Sequence, residues 1–221
     1  ARGSMRIRKV GPSMPDSVFY LVRHGQTEAN VKRILQGANT DTPLTALGTA
    51  QIQELLVRFE FTPLQAIYSS PQPRALVTAE GIAQAHGLSV KTASALRERW
   101  MGPLDGAPDD ILTTVYAREY QAFLRLTAQQ KFRQSLLTME SDLQIADRVM
   151  NYLASLIPIS FGKTSLAVTH SGVMKSVLQY LGYATYDELS NTAIKNAGYM
   201  KMIVNGSLFT IDEAFGIEIG H

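Results

Sequence analysis

The sequence predicts an α/β fold: a three-layer α/β/α sandwich with a mostly parallel central sheet and a helical cap insertion. Three observations predict it. Short apolar runs rich in β-formers alternate with amphipathic helical stretches, the pattern of a sheet covered on both faces. Two of those runs, Val18–Val22 and Thr164–Thr169, stop abruptly at a histidine, and such sheets gather ligands beyond the carboxyl ends of their strands. Residues 100–140 mix polar and apolar positions without a β signal, which reads as a helical excursion lying over the rest.

The elements follow in order. Val18-Phe19-Tyr20-Leu21-Val22 is a buried strand, closed by Arg23-His24-Gly25. Thr27 caps a short helix over Glu28 to Arg33, Asn39 to Pro43 is loop, and Leu47 to Phe59 has helical periodicity. Gln65 to Ser69 is a second strand, stopped by Ser70-Pro71. Arg74 to His86 is a helix ended by Gly87, and Leu88 to Thr92 is a further short strand. After the turn-rich Trp100–Gly106 connection, a helical region runs from about Ile111 to Leu137. Ser141 is an N-cap for Asp142 to Leu156, and Pro158 closes that helix. Val173 to Leu181 is helical, and Tyr199–Val204 with Leu208–Ile211 form a hairpin around Asn205-Gly206. Ala1-Arg2-Gly3-Ser4 before Met5 reads as an expression remnant. Residues 1–17 are set aside as remnant and extension, leaving 18–221 as a single domain with its cap insertion at about 100–140.

Composition narrows the class. With 221 residues, 45% hydrophobic and 18% charged, the chain has enough apolar material for one substantial core. Twenty-one basic and nineteen acidic residues leave a formal charge of +2. No long basic run points to nucleic acid, and no apolar stretch approaches the ~20 residues of a membrane span. The absence of cysteine removes disulfides, thiolate nucleophiles and cysteine metal sites. A cytoplasmic location is the default expectation.

Four histidines are present: His24, His86, His170 and His221. His86 sits near a helix end and His221 is terminal, whereas His24 and His170 both follow apolar strands and can meet at one rim of the sheet. A histidine nucleophile must be neutral when it attacks, and a phosphoryl group suits nitrogen. Arginine beside it serves phosphate, because guanidinium forks bind phosphate oxygens bidentately. Arg23 adjoins His24, and Arg74 follows the second strand's end. Glu98 is a candidate proton donor, although Arg97 and Arg99 equally suit it to a surface ion pair.

Leu21-Val22-Arg23-His24-Gly25-Gln26-Thr27-Glu28-Ala29-Asn30 resembles the signature of the histidine phosphatase superfamily, phosphoglycerate-mutase-like branch. The resemblance continues through Gln36-Gly37, Asp41–Thr45, Gly48, Ser69–Ala75, Leu96–Arg99, Gly102 with Gly106, and Val168–Gly172. It implies that His24 takes the phosphoryl group, that Arg23, Arg74 and His170 surround that group, and that His170 supplies a positive donor. Glu98 matches the family's acid, which protonates the leaving alcohol and then activates water. Asn30, Gln36, Thr27 and Ser171 are the implied substrate-binding residues. No metal or cofactor is expected, and the partner is a phosphorylated small molecule, with a homodimer left open.

Some positions depart from the pattern. Ser171 stands where glycine usually follows the second histidine, and Asp105 where phosphatase members commonly carry glutamate. Thr138-Met139-Glu140-Ser141 resembles a Gly-Glu-Ser element, in which Glu140 orients Arg23 or a neighbouring cap residue, or else merely precedes an N-cap. Arg99-Trp100-Met101-Gly102 replaces the Arg-His-Tyr-Gly-Gly of cofactor-dependent mutases, which favours a phosphatase over a mutase or a non-catalytic binding protein. Trp100 is read as core or loop packing. Tyr116, Tyr120 and Phe123 are read as packing residues within reach of the cleft.

Overall fold

Ser17–Arg23 forms β1, followed by α1 (Glu28–Lys32), α2 (Ala46–Phe59), β2 (Leu64–Ser69), α3 (Pro73–Ala85) and β3 (Val90–Thr92). Three short helices come next: α4 (Ile111–Thr114), α5 (Ala117–Leu124) and α6 (Ala128–Arg133). The chain then returns through α7 (Asp142–Ser160), β4 (Thr164–Thr169), α8 (Ser171–Tyr180), α9 (Tyr186–Ser190), β5 (Ala193–Asn205) and β6 (Leu208–Glu218). This computed structural model describes residues 15–190 and 193–219. The expected remnant, Ala1 to Ser4, lies outside the described residues, and Ser17 already belongs to β1.

The six strands form one sheet in the order β3-β2-β4-β1-β5-β6. The pairs β3–β2, β2–β4 and β4–β1 are parallel, and β5 and β6 add an antiparallel hairpin. Side chains alternate across β1, so its two sides feed two cores. Phe19 and Leu21 pack with Ile145, Val149 and Leu153 of α7 and with Val173 and Val177 of α8. Val22 packs on the opposite face with Leu55 and Phe59 of α2 and with Ala75, Ala79 and Ile82 of α3. These two clusters make the three layers.

Caps fix where the helices begin. Thr27, Thr127 and Ser141 each accept the N–H three residues on, and Asn30, Gln130 and Gln144 bond back to the cap N–H. The cap at Thr127 explains one departure from expectation. The 111–137 region is three short helices, and the second break, between α5 and α6, arises because a residue that caps α6 cannot also continue α5. Pro158 does not close α7, which runs on to Ser160. So near the end, proline costs only the bond its missing N–H would make to Ala154, and the last turn still forms.

The terminal hairpin is longer than its sequence signal. Lys195-Asn196-Ala197-Gly198 interrupts the apolar alternation of β5, and the pairing shifts there between Ile194 and Tyr199. Ala197 has φ 60°, a left-handed conformation unusual for a residue with a Cβ. Trp100 is 44% exposed, so it lies in the loop rather than the core. Among the described residues no helix is long and apolar enough to cross a membrane.

Leu153 is fully buried at the centre of the α7 and α8 layer. Leu153→Ala is expected to lower unfolding free energy by about 2–5 kcal/mol, read as a lower urea midpoint with an unchanged slope.

Candidate active site

Three adjacent parallel strands deliver the site. In the β1–β4 ladder Arg23 stands opposite Thr169, so His24 and His170 are the next residues out on each strand. The His24 N–H donates to Thr169 O at 3.1 Å, and the two imidazole centroids are 5.2 Å apart. Ser70 leaves β2 beside β4, with its N–H on Val168 O at 2.9 Å. The strand-end histidines therefore meet as expected.

His24 is 3% exposed, and its Nδ1–H donates to Gly25 O at 2.7 Å. That bond fixes the tautomer and leaves Nε2 with its lone pair. Burial holds the ring well below the usual histidine range, Arg23 and Arg74 add to the effect, and the Gly25 bond only partly opposes it. Gly25 also sits where α2 begins: a Cβ there would lie 2.7 Å from Gly48 O. The glycine is needed for this close approach.

His170 is completely buried, and its Nε2 lies 2.8 Å from Ser70 Oγ. Burial, Arg74, His24 and Arg23 all disfavour its protonation, so the ring is neutral at neutral pH. The one Ser70 hydroxyl proton goes either to His170 Nε2, which makes Nδ1 the ring's donor, or to Gln72 Oε1, which makes Nε2 the donor and Nδ1 an acceptor. Arg23 is pulled down to about 10 by burial, with Glu98 opposing and Arg74 adding, and it stays charged at neutral pH.

Arg74 is held from one side. Its NH1 donates to Thr40 O at 3.0 Å and to Asp41 Oδ1 at 2.5 Å, and NH2 donates to Gly37 O at 3.2 Å. The loop supplying these acceptors is itself pinned by Asp105, whose carboxylate accepts the N–H groups of Gly37, Asn39 and Thr40. Arg23 donates from NH1 to Ile194 O. Among the described residues, only four buried side-chain polar atoms lack a hydrogen-bond partner: Arg23 Nε, Arg74 Nε, His170 Nδ1 and Ser165 Oγ. Three belong to this site. Buried polar nitrogens are rarely left unmatched, and two of these three are guanidinium donors, so the arrangement beside His24 can take an anion.

Glu98 lies on the rim of the same site. Its carboxylate accepts Arg99 N–H at 2.7 Å and Gly172 N–H at 3.2 Å, the latter from the first turn of α8. A Cβ on Gly172 would fall 2.5 Å from Glu98 Oε1, so only glycine admits the carboxylate there. Glu140 does not reach Arg23. It pairs with Arg97 and Arg148, and Arg148 and Arg97 donate in turn to the backbone around Glu98. Burial alone would raise Glu140, but Arg148, the Trp100 N–H and Arg97 hold it below the usual carboxylate range.

Thr27 is fully buried, and its hydroxyl serves Asn30 N–H and Gln36 Nε2. Asn30 Oδ1 accepts Thr27 N–H and Asn196 Nδ2, and Gln36 Oε1 accepts Thr42 Oγ1. Ser171 opens α8. Two contributors were given no role from the sequence, although Gln72 lies within the Ser69–Ala75 segment of the family resemblance. Gln72 is buried and links Ser70, Glu98 N–H and Gly37 O. Asn196 donates to His24 O and Asn30 Oδ1 from a strand whose register gives no hint of it.

Beyond Glu98 lies a cavity of about 550 Å³ under the cap, bounded by Arg99, Tyr120, Phe123, Met139, Lys175 and Tyr186 among others. Arg23, His24, Arg74, Glu98 and His170 are all outside its walls, and it is linked to them through Arg99, next to Glu98 in the chain, and Lys175, whose ammonium feels Arg23 and Glu98. Phe123 also packs edge-on against Tyr186 at 5.7 Å, so the cap aromatics both pack and line the cleft. Among the described residues no group of three or more histidines and carboxylates is placed to hold a metal ion.

The profile of the histidine phosphatase superfamily (branch 1) matches residues 19–215, and the chain belongs to that family. A Proteus mirabilis protein named "Probable phosphoglycerate mutase GpmB" is 34% identical over 185 residues, covering 81% of this chain and 84% of the relative. The structure of Bacillus stearothermophilus YhfR superposes with a TM-score of 0.77 at 27% identity, covering 88% of this chain and 94% of that one. A phosphoserine phosphatase from Entamoeba histolytica, in complex with 3-phosphoglyceric acid, shares the fold at TM-score 0.77 and 24% identity, with 90% and 96% covered. The relatives thus carry both mutase and phosphatase names.

The neutral histidines make stability depend on pH. An unfolded chain's histidines protonate near 6.5, whereas folded His24 and His170 refuse the proton until well below that value. Below 6.5 the unfolded state therefore binds more protons, and stability falls with pH by about 1.4 kcal/mol per unit for each ring held neutral. Denaturant titrations at pH 7.5, 6.5 and 5.5 are expected to show that decline, with a shallower slope in His170→Asn. Equal slopes would contradict the neutral assignment.

Proposed function

We propose that the protein hydrolyses phosphomonoesters through a phosphohistidine on His24. The observation that carries this reading is the convergence of three buried nitrogens without partners, the guanidinium donors Arg23 Nε and Arg74 Nε and the ring Nδ1 of His170, beside an imidazole whose Nδ1–H is already committed. Those donors match the equatorial oxygens of a transferring phosphoryl group, where charge gathers in the transition state.

In the first step the lone pair on His24 Nε2 forms the P–N bond as the ester P–O bond breaks. Glu98 in its acid form gives its proton to the departing oxygen, so an alcohol leaves rather than an alkoxide. In the second step the Glu98 carboxylate takes a proton from water, whose oxygen attacks phosphorus. The P–N bond breaks, inorganic phosphate forms and His24 is neutral again. Arg23, Arg74 and His170 hold the oxygens through both steps. Asn30 contributes its amide N–H₂, since its carbonyl is already occupied, and Gln36 and the Ser171 N–H complete the rim. Thr27 acts by positioning Asn30 and Gln36.

Mutase activity is the second reading, favoured by the 34% identical relative that bears that name. The two differ in what reaches the phosphohistidine second, water or a bound alcohol. The compact cap of short helices and the absence of the mutases' Arg-His-Tyr-Gly-Gly run support water.

Glu98→Gln removes the proton donor without changing the size of the side chain. It is expected to lower kcat by about 10²–10⁴-fold on alkyl phosphates. The loss should be far smaller for the first step of p-nitrophenyl phosphate, whose leaving group needs no proton. Phosphorus NMR of 3-phosphoglycerate, with and without 2,3-bisphosphoglycerate, separates hydrolysis from isomerisation. Inorganic phosphate that disappears with His24→Ala supports the hydrolase, and interconversion without net release supports the mutase.

A further inference from the structure

The walls of the cap cavity contain charged groups that are matched, with one exception. Arg99 pairs with Asp142, Lys131 donates to Asp187 at 2.6 Å, and Asp109 accepts Arg33 Nε at 2.9 Å. Lys175 has no hydrogen bond or ion pair to any described residue, although it is half-buried and lines the same cavity. Its ammonium is disfavoured first by burial and then by Arg23, with Asp142 and Glu98 only partly compensating. A partly desolvated cation that pairs with nothing is costly, and it is retained where a ligand supplies the counter-charge.

Position identifies which part of the ligand that is. Lys175 follows Gly172 by three residues on α8, about 4.5 Å along the axis and on the same side of the helix. The Gly172 N–H binds the carboxylate of Glu98, the group that protonates the leaving oxygen in the reading above. Lys175 therefore stands about one helical turn along α8 from the N–H that anchors the Glu98 carboxylate, with its ammonium between the cavity and the fields of Arg23 and Glu98.

We propose that Lys175 is a specificity residue that binds a carboxylate on the leaving group of the substrate, a deepening that rests on the hydrolase reading of this site. The charge count selects a carboxylate over a second phosphate. The cavity presents one positive charge without an ion-pair partner among the described residues, and its other charged walls are already paired. A monoanion neutralises Lys175, whereas a dianion would keep a buried charge without a partner. The preferred substrate is a phosphomonoester of a small hydroxy acid or hydroxy amino acid, with its apolar atoms against Tyr120, Phe123 and Tyr186.

The test uses equilibrium binding, so it does not depend on turnover. Calorimetry on His24→Ala compares 3-phosphoglycerate with glycerol 3-phosphate, which replaces the carboxylate by a neutral hydroxymethyl group. The carboxylated ligand is expected to bind about 10-fold tighter or more. That ratio should collapse toward unity in His24→Ala/Lys175→Gln and persist in His24→Ala/Lys175→Arg. Inorganic phosphate, titrated into the same variants, reports whether the phosphoryl locus is intact. The absence of a carboxylate preference, a preference that survives Lys175→Gln, or equal losses for all three ligands would each overturn the assignment. Turnover by the wild-type chain is measured separately. A carboxylate preference that depends on Lys175, with no phosphate release from any ester, would sink the hydrolase reading and leave the carboxylate subsite standing.

Discussion

Because β1 and β4 are hydrogen-bonded in parallel with Arg23 opposite Thr169, the two strands end level, and His24 and His170 leave the sheet side by side. The other site groups are arranged around that pair. β2, in parallel on the far side of β4, brings Ser70 to His170, and α8 starts at once behind His170, so its first turn meets Glu98. A slip of one residue in the β1–β4 register would turn His24 to the other face of the sheet and exchange the two cores of β1. The buried alternation of Phe19, Leu21 and Val22 excludes that slip, so the packing of the core and the placement of the chemistry are one constraint.

Electrostatics sets the state of the pair. Two arginines and complete burial keep both rings neutral, which a nitrogen nucleophile requires. The same arginines need acceptors, and the fold satisfies them only in part. Gly37, Thr40, Asp41 and Ile194 take some of their N–H groups, and the Nε atoms remain unmatched. Asp105 stabilises this arrangement at a distance by fixing the loop that carries three of those acceptors. On the opposite side Glu140, Arg97 and Arg148 brace the backbone of Glu98. The site is thus assembled between two clamps, one on the phosphoryl side and one on the acid side. The cap cavity opens beyond the second, where Lys175 is the positive charge without an ion-pair partner among the described residues.

Much of this was legible in the sequence, because strands that end in histidine and helices that start at Thr or Ser are local signals. β1, β2, β4 and the caps at Thr27 and Ser141 follow from apolar runs and capping chemistry. The family signature then named Arg23, His24, Arg74, Glu98 and His170, which the fold brings to one rim. What stayed hidden depends on contacts between distant segments. Gln72 and Asn196 are ordinary polar residues until tertiary structure sets them against Ser70 and His24. Glu140 was legible as a charge, but its partners lie 43 residues before it and 8 after it, in segments no local pattern joins. The cap breaks before α6 because Thr127 caps a new helix, a choice that helical periodicity alone cannot resolve.

The central claim is that phosphorus bonds to Nε2 of His24. Glu98→Gln, which lacks the base that activates water, should hold the phosphoryl group on the enzyme after mixing with p-nitrophenyl phosphate. Alkaline quenching, phosphorus NMR and peptide mapping then give both the residue and the ring nitrogen. The account predicts an acid-labile, alkali-stable phosphate on His24 at Nε2, because Nδ1–H is bound to Gly25 O. Phosphate on Nδ1, on His170, or no covalent phosphate while inorganic phosphate is still released would contradict it.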